Sequence, residues 1–207
     1  MLYTARTPFF LKWFYPSLVW DIPSGNRQVY LSFDDGPHPE ITPFVLAELR
    51  KVNAKATFFC IGDNVRKFPE VYDQILLEGH RTGNHTYNHL NGWKTNDSDY
   101  IENIEKARHY IHSDLFRPPY GKIKRTQIQQ IQKKWLRSRI IMWDVLSADF
   151  DINLTAEQCI NNVITNVKPG SIIVFHDSEK AFPRLRQTLP VVLKNLQNRG
   201  FAFETIK

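Results

Sequence analysis

The sequence predicts an α/β fold built on a parallel sheet, and three observations carry that expectation. Short apolar runs of strand character alternate with helical patterns from Val29 to the C-terminus, the repeated strand–helix unit from which parallel sheets are made. Seven such alternations follow one another with no Gly-, Pro- or Ser-rich linker between them. The 207 residues suit one well-packed domain spanning 1–207. The alternation alone leaves two architectures open, a closed barrel and an open doubly wound sheet.

The N-terminal stretch Met1–Trp20 is apolar and aromatic but broken by Arg6, Lys12 and Pro16. It has no clean apolar core with a small-residue cleavage site and is too short and interrupted for a spanning helix. The expectation is an extension, 1–22, packed on the domain, with peripheral contact at a membrane interface as the sharper alternative. The compartment expected on these grounds is the cytoplasm or the membrane periphery.

Val29–Phe33 reads as the first strand. Thr42-Pro43 reads as a cap with Pro at the first helical position, opening a helix to Lys51. Ala56–Ile61 is the second strand, ended by Gly62. A helix follows from Pro69 to Glu78, with Val71, Ile75 and Leu76 on one face and Gly79 as its stop. Arg81–Asn84 is a short third strand running into His85. After a polar loop, Asn91–Asp97, a helix from Ser98 to His112 carries Ile101, Ile104, Ala107 and Ile111 at helical spacing. Asp114–Arg117 is a brief strand, Thr126–Lys134 a helix and Arg139–Trp143 a strand. Thr155-Ala156-Glu157-Gln158 is a capping box opening a helix to Val167. Pro169-Gly170 turns the chain into Ser171–Phe175. A last helix, Arg184 to Asn198, contains Pro190, which is expected to kink it, and Phe201–Glu204 closes the chain.

Composition narrows the function classes. With 42% hydrophobic and 23% charged residues the chain is an ordinary globular protein. The net charge of +6 is dispersed, with small clusters at Lys122-Lys124-Arg125 and Lys133-Lys134. No basic run interleaved with aromatics appears, so no nucleic-acid partner is expected. Cys60 and Cys159 make neither a disulfide framework nor a metal knuckle, and Cys60, inside a strand, reads as a buried free thiol.

The chemistry concentrates where strands end. Asp34-Asp35-Gly36-Pro37 places two adjacent carboxylates at the end of the first strand, where alternation makes them diverge. One can bind a metal while the other handles a proton. His85-Thr86-Tyr87-Asn88-His89 sets two imidazoles four apart, which on a helical turn would share a face. Two His with one carboxylate make an open metal site. His176 follows the most apolar strand and suits a general acid. Arg117-Pro118-Pro119-Tyr120-Gly121 is a rigid segment able to hold a guanidinium against a carboxylate. Asp144 or Asp149 falls at a further strand end.

In this order the motifs resemble those of the NodB-type polysaccharide deacetylases, carbohydrate esterase family four, over Val29 to Glu204. Ser32-Phe33-Asp34-Asp35-Gly36 resembles the family's first motif, with Ser in place of Thr. His85-Thr86-Tyr87-Asn88-His89 matches its second motif and Arg117-Pro118-Pro119-Tyr120 its third. Asp149-Phe150 stands where the family has Asp-Trp, and Val174-Phe175-His176 where it has Leu-x-His. The resemblance implies a distorted (β/α) barrel of seven or eight parallel strands. It implies Asp34 as catalytic base and His176 as acid. The metal ligands it implies are Asp35, His85 and His89. Arg117 would orient Asp34, the Tyr120 backbone N–H would meet the oxyanion, and Asp149 would pair with His176, with Pro119, Phe150 and Val174 shaping the site. The implied cofactor is one divalent metal, zinc first, with cobalt or nickel as alternatives. The implied activity is hydrolytic removal of N-acetyl groups from an amino-sugar polymer, so the expected partner is an acetylated carbohydrate. A deformylase or O-deacetylase acting on a lipid-linked or small sugar, and a non-catalytic glycan-binding scaffold, remain as alternatives.

Overall fold

The computed structural model describes residues 4–207; the part of the expected N-terminal extension that falls on residues 1–3 lies outside them. In chain order the elements are α1 (Phe9–Phe14), β1 (Gln28–Asp34), α2 (Ile41–Lys51), β2 (Ala56–Cys60), α3 (Gly62–Lys67), α4 (Pro69–Leu77), β3 (Arg81–Asn84), α5 (Asp97–Arg108), β4 (Leu115–Phe116), α6 (Arg125–Lys134), β5 (Arg139–Ile140), β6 (Val145–Leu146), α7 (Ala156–Ile164), β7 (Ile172–His176), α8 (Phe182–Asn198) and β8 (Ala202–Phe203). The strands pair in the order β5-β4-β3-β2-β1-β7-β6, and β8 adds to β1. Every pairing between these strands is parallel. The sheet curls into the distorted (β/α) barrel of the sequence expectation, an incomplete one, and an open doubly wound sheet is excluded.

Buried strands explain the apolar runs. β1, β2 and β7 lie side by side and are covered on both faces, so Val29, Leu31, Phe33, Phe58 and Phe175 have almost no exposed surface. Phe33 stacks between Phe58 and Phe175 at centroid separations of 5.1 and 5.8 Å. Leu46, Leu49, Leu185, Leu189 and Leu193 close the same core from α2 and α8.

Several expected boundaries shift. The strand read at Arg139–Trp143 is only β5, Arg139–Ile140, which pairs with β4; a second short strand, β6, follows beyond it and pairs with β7. The switch falls at Asp144, whose buried carboxylate accepts from the Ile172 N–H (2.9 Å) and the Ser171 hydroxyl (3.0 Å) and so draws the chain toward β7. Thr42 lies inside α2 and does not cap it; its hydroxyl serves Asp177 instead. Leu76 faces solvent, and Val71, Tyr72 and Ile75 form the buried face of α4. The capping box at Thr155 and Gln158 forms as read, and α8 continues through Pro190.

β5 and β6 are the two ends of the hydrogen-bonded path, yet only Ile141–Asp144 separates them in the chain. The seam between them is filled by the N-terminal segment. Val19 pairs with Ile141, donating to the Ile140 carbonyl (2.9 Å) and accepting from Met142 (2.7 Å). Arg6 bridges Val145, flanked by hydrogen bonds from Leu146 to Ala5 and from Thr7 to Asp144. Leu18 and Trp20 are buried in the cluster that includes Phe116, Ile131 and Met142. Phe9, Phe10, Trp13 and Phe14 of α1 point outward. No helix among the described residues is long and apolar enough to cross a membrane.

Candidate active site

The C-terminal ends of β1, β3, β4, β6 and β7 meet on one side of the barrel, where functional groups of (β/α) barrels collect. The backbone there is unusual. Of six non-glycine residues with positive φ among the described residues, five sit at these ends: Asp35, Thr86, His89, Tyr120 and Ala148. Left-handed backbone at side chains larger than glycine persists where surrounding structure imposes it, and it marks functional sites.

Asp34 ends β1 and Asp35 follows it, and the two carboxylates diverge. Asp34 is buried and receives the Arg117 guanidinium at 2.6 Å. Arg117 has no exposed surface: it also donates to Ser32 (2.8 Å) and to the carbonyls of Ile141 (3.2 Å) and Met142 (3.0 Å), and its plane lies 3.9 Å from the Phe59 ring centre. Five partners from two strands and a loop fix this cation, so the Asp34 carboxylate has one orientation.

Asp35 turns the other way, toward His85 and His89, whose Nε2 atoms lie 3.8 and 3.2 Å from Asp35 Oδ1. The three ligand atoms lie within 4.8 Å of one another. His85 and His89 are not on a helical turn as expected; they flank a turn with Thr86 and His89 in left-handed conformation. Asn84 Oδ1 accepts from the Thr86 N–H, and Asn103 Oδ1 from the Tyr87 N–H, each at 2.8 Å. These bonds bring the rings to a centroid separation of 5.1 Å.

This donor set fits a divalent cation. The carbonyl of Arg117, 2.8 Å from His85 Nδ1, can only accept, so the proton is on Nδ1 and the Nε2 lone pair faces Asp35. Burial holds His85 down, at about 4, so it is neutral near pH 7. Burial pushes Asp35 up, but the His89 contact and the neighbouring imidazoles pull harder and set its carboxyl well below the usual range. Asp35 Oδ1 is buried without a hydrogen-bond partner. An ionised carboxylate oxygen and a neutral imidazole lone pair aimed at one point call for a positive charge between them.

His176 ends β7 across from this cluster. Its Nδ1 lies 2.7 Å from Asp149 Oδ1, and its backbone N–H donates to Asp149 Oδ2 at 2.9 Å. Burial alone would lower the imidazole; the fully buried Asp149 charge and its hydrogen bond reverse this and lift it to about 9. Phe150 meets the His176 ring edge-on at 5.1 Å and shares an apolar cluster with Val174, Leu146 and Trp143. Pro119 is buried and sets a short 3₁₀ turn, Pro119–Gly121, in which the Tyr120 side chain reaches His89 Nδ1 at 3.1 Å. Asp144, the other candidate at this strand end, is structural.

The eleven residues that the motifs assign to the site thus lie at or near these strand ends. Sequence reading missed Asp177. Buried behind the Asp-Asp pair, its side chain accepts from the Gly36 N–H (3.0 Å) and the Thr42 hydroxyl (2.5 Å), and its own N–H donates to the Asp34 carbonyl (3.1 Å). A Cβ on Gly36 would lie 2.1 Å from Asp177 Oδ2, so only glycine fits there. Asn64, which donates to the Asp35 carbonyl at 2.8 Å, was also missed. The adjacency of Asp177 to His176 was the only signal for either.

Comparison with known proteins gives a consistent answer. The sequence model of a family described as polysaccharide deacetylase matches residues 21–137. A peptidoglycan-N-acetylglucosamine deacetylase of Bacillus cereus is 35% identical over 194 residues, covering 89% of this chain and 68% of that protein. A chitooligosaccharide deacetylase of Azorhizobium caulinodans is 35% identical over 203 residues, covering 89% and 95%. The crystal structure of the Bc1960 peptidoglycan N-acetylglucosamine deacetylase, in complex with 4-naphthalen-1-yl-N-oxidanyl-benzamide, superposes with a TM-score of 0.87 at 33% identity over 97% of this chain and 95% of that one. With its strand-end carboxylates, imidazoles and buried arginine in these positions, the chain belongs to the polysaccharide deacetylase family.

Proposed function

We propose that the chain is a metal-dependent hydrolase that removes N-acetyl groups from an amino-sugar glycan, with peptidoglycan-type N-acetylglucosamine as the substrate class that the relatives' names favour. One observation carries the reading. An arginine-clamped carboxylate and a carboxylate-paired imidazole stand at partner positions of β1 and β7, beside a two-His, one-Asp cluster.

Asp35, His85 and His89 would hold the cation, zinc first. Bound there, it supplies Lewis acidity toward the amide carbonyl and makes water more acidic. Asp34 takes the proton of the attacking water, its position fixed by Arg117. The Tyr120 backbone N–H is assigned to the developing oxyanion. His176 delivers a proton from Nε2 to the leaving amine, because Nδ1 is committed to Asp149. Water adds to the acyl carbon, the C–N bond breaks, and acetate and a free amino sugar leave.

The test is release of acetate and free amine from N-acetylglucosamine oligomers and from peptidoglycan, with metal content measured in parallel. The His85→Ala, His89→Ala double variant is expected to lose both the metal, by elemental analysis, and turnover. Full metal retention by that variant would overturn the ligand assignment. Failure of the metal-loaded wild-type protein on every N-acetylated glycan would overturn the activity.

A further inference from the structure

A cavity of about 430 Å³ lies beside the active site, between the 3₁₀ turn carrying Tyr120, the β5–β6 connection and the N-terminal segment. Sites for small molecules run from roughly 300 to 1,000 Å³, and the methyl of an acetyl group would leave nearly all of this volume empty. Its innermost walls are shared with the active site. Tyr120 contacts His89, and Leu146 and Trp143 pack in the apolar cluster of Val174 and Phe150, the latter against His176. Its outer wall is Leu11, Leu18 and their neighbours, residues that precede the stretch 21–137 matched by the family.

Four polar groups of the wall are already engaged by main-chain carbonyls. The Thr4 and Thr7 hydroxyls donate to the carbonyls of Arg6 and Trp143, and the Trp20 and Trp93 indole N–H groups to those of Tyr15 and Ile123. A sugar ring placed here would find most of these donors already spent on main-chain carbonyls, and its hydroxyls would be desolvated without return. An alkyl chain has no such cost and gains from burial.

We propose that this cavity is an acyl-chain subsite and that the enzyme accepts N-acyl groups longer than acetyl on its amino-sugar substrate. This rests on the N-deacetylase reading above. The scissile carbonyl must lie between Asp34 and His176, beside the two-His, one-Asp cluster. The glycan stays outside the cavity, since a mainly apolar lining cannot pair the hydroxyls of a sugar. The acyl group points inward, past Leu146 and Tyr120, into the cavity. The reaction is the same hydrolysis: water adds to the acyl carbon, the C–N bond breaks, and a carboxylate of the longer chain leaves with the free amine.

The experiment compares N-acetyl, N-butyryl and N-hexanoyl glucosamine trimers by amine release, in the metal-loaded wild-type protein and in Leu11→Trp and Leu11→Ala. In the wild type, kcat/KM for hexanoyl is expected at or above that for acetyl, since each buried methylene adds affinity. Leu11→Trp, which fills the cavity, should lower hexanoyl turnover by about tenfold or more and leave acetyl within about twofold. Leu11→Ala should tilt the preference further toward long chains. A wild-type hexanoyl rate about 100-fold below acetyl would overturn the proposal, as would equal losses on both substrates in Leu11→Trp. If Leu11→Trp changes dependence on glycan length and not on acyl length, a sugar ring is the occupant and the proposal falls. Cleavage of acetyl but not hexanoyl sinks only this inference, whereas cleavage of neither sinks the deacetylase reading with it.

Discussion

Asp34 and Asp35 are neighbours in the chain with separate surroundings, and this separation makes their roles testable one at a time. Asp34 meets Arg117 at 2.6 Å, whereas Asp35 faces the imidazoles. Asp34→Asn keeps the shape and the metal ligands but removes the proton acceptor. Turnover should fall by about 10²–10⁴, the scale of one general base, with metal content by elemental analysis unchanged. His176 sets the other limb. In the proposed mechanism its imidazolium is the reactive form, which Asp149 keeps protonated up to about pH 9. Activity should therefore hold below that pH and fall as pH rises through it. Asp149→Asn removes the main cause of the upward shift, so the basic limb of the pH–rate profile should move to lower pH; an unmoved limb would show that His176 does not set it. Stability follows the same sign. The folded value, about 9, exceeds the roughly 6.5 of an unfolded histidine, so the pairing contributes fully below pH 6.5 and is lost on the way up to 9. The candidate site residues could be picked out of the sequence because Asp, His and Arg at the ends of apolar strands are chemically conspicuous. Asp177 was not: it acts by accepting from the Gly36 N–H and the Thr42 hydroxyl, contacts that no spacing rule encodes.

Elements were legible where local chemistry alone decides them. The Thr155–Gln158 capping box is such a case, with the Gln158 N–H donating to the Thr155 hydroxyl and the Gln158 side chain accepting from the Thr155 N–H. Thr155→Ala should cost about 1 kcal/mol in denaturant unfolding, as loss of an N-cap does, and leave kcat unchanged, since α7 carries no reacting group. Tertiary partners decided the elements that were misread. Two His four apart suit a helix by spacing, but Asn84 and Asn103 hold a left-handed turn in its place. The apolar run Arg139–Trp143 has strand character throughout, yet only Arg139–Ile140 pairs with β4, and the Asp144 bonds to Ser171 and Ile172 draw the following Val145–Leu146 to β7. α3 escaped notice because its six residues are too few to show a period.

For the molecule as a whole, alternation gave the parallel sheet, and the ordered motifs gave the distorted barrel. Neither indicated how the barrel closes. The seam between β5 and β6 is covered by a segment with no strand pattern of its own, whose pairing exists only once Ile141, Val145 and Ser171 are in place. The same segment walls the cavity beside the active site. Seam and cavity are one construction: the residues that complete the sheet also decide how much space lies next to the scissile bond.

That construction sets an order of events. The residues around Arg6, Val19 and Asp21 are synthesised well before their partners at Val145, Ile141 and Ser171. Loop closure over such separations is slow to be rewarded. Docking of the segment is therefore a late step of folding, and Phe9, Phe10, Trp13 and Phe14 travel with an undocked strand until it occurs. Contacts that form after the rate-limiting barrier govern escape from the native state more than arrival. Trp20→Ala, which removes a buried side chain of the seam, should speed unfolding in stopped-flow measurements and leave the refolding rate nearly unchanged. A slowed refolding limb would instead put the seam in the folding nucleus.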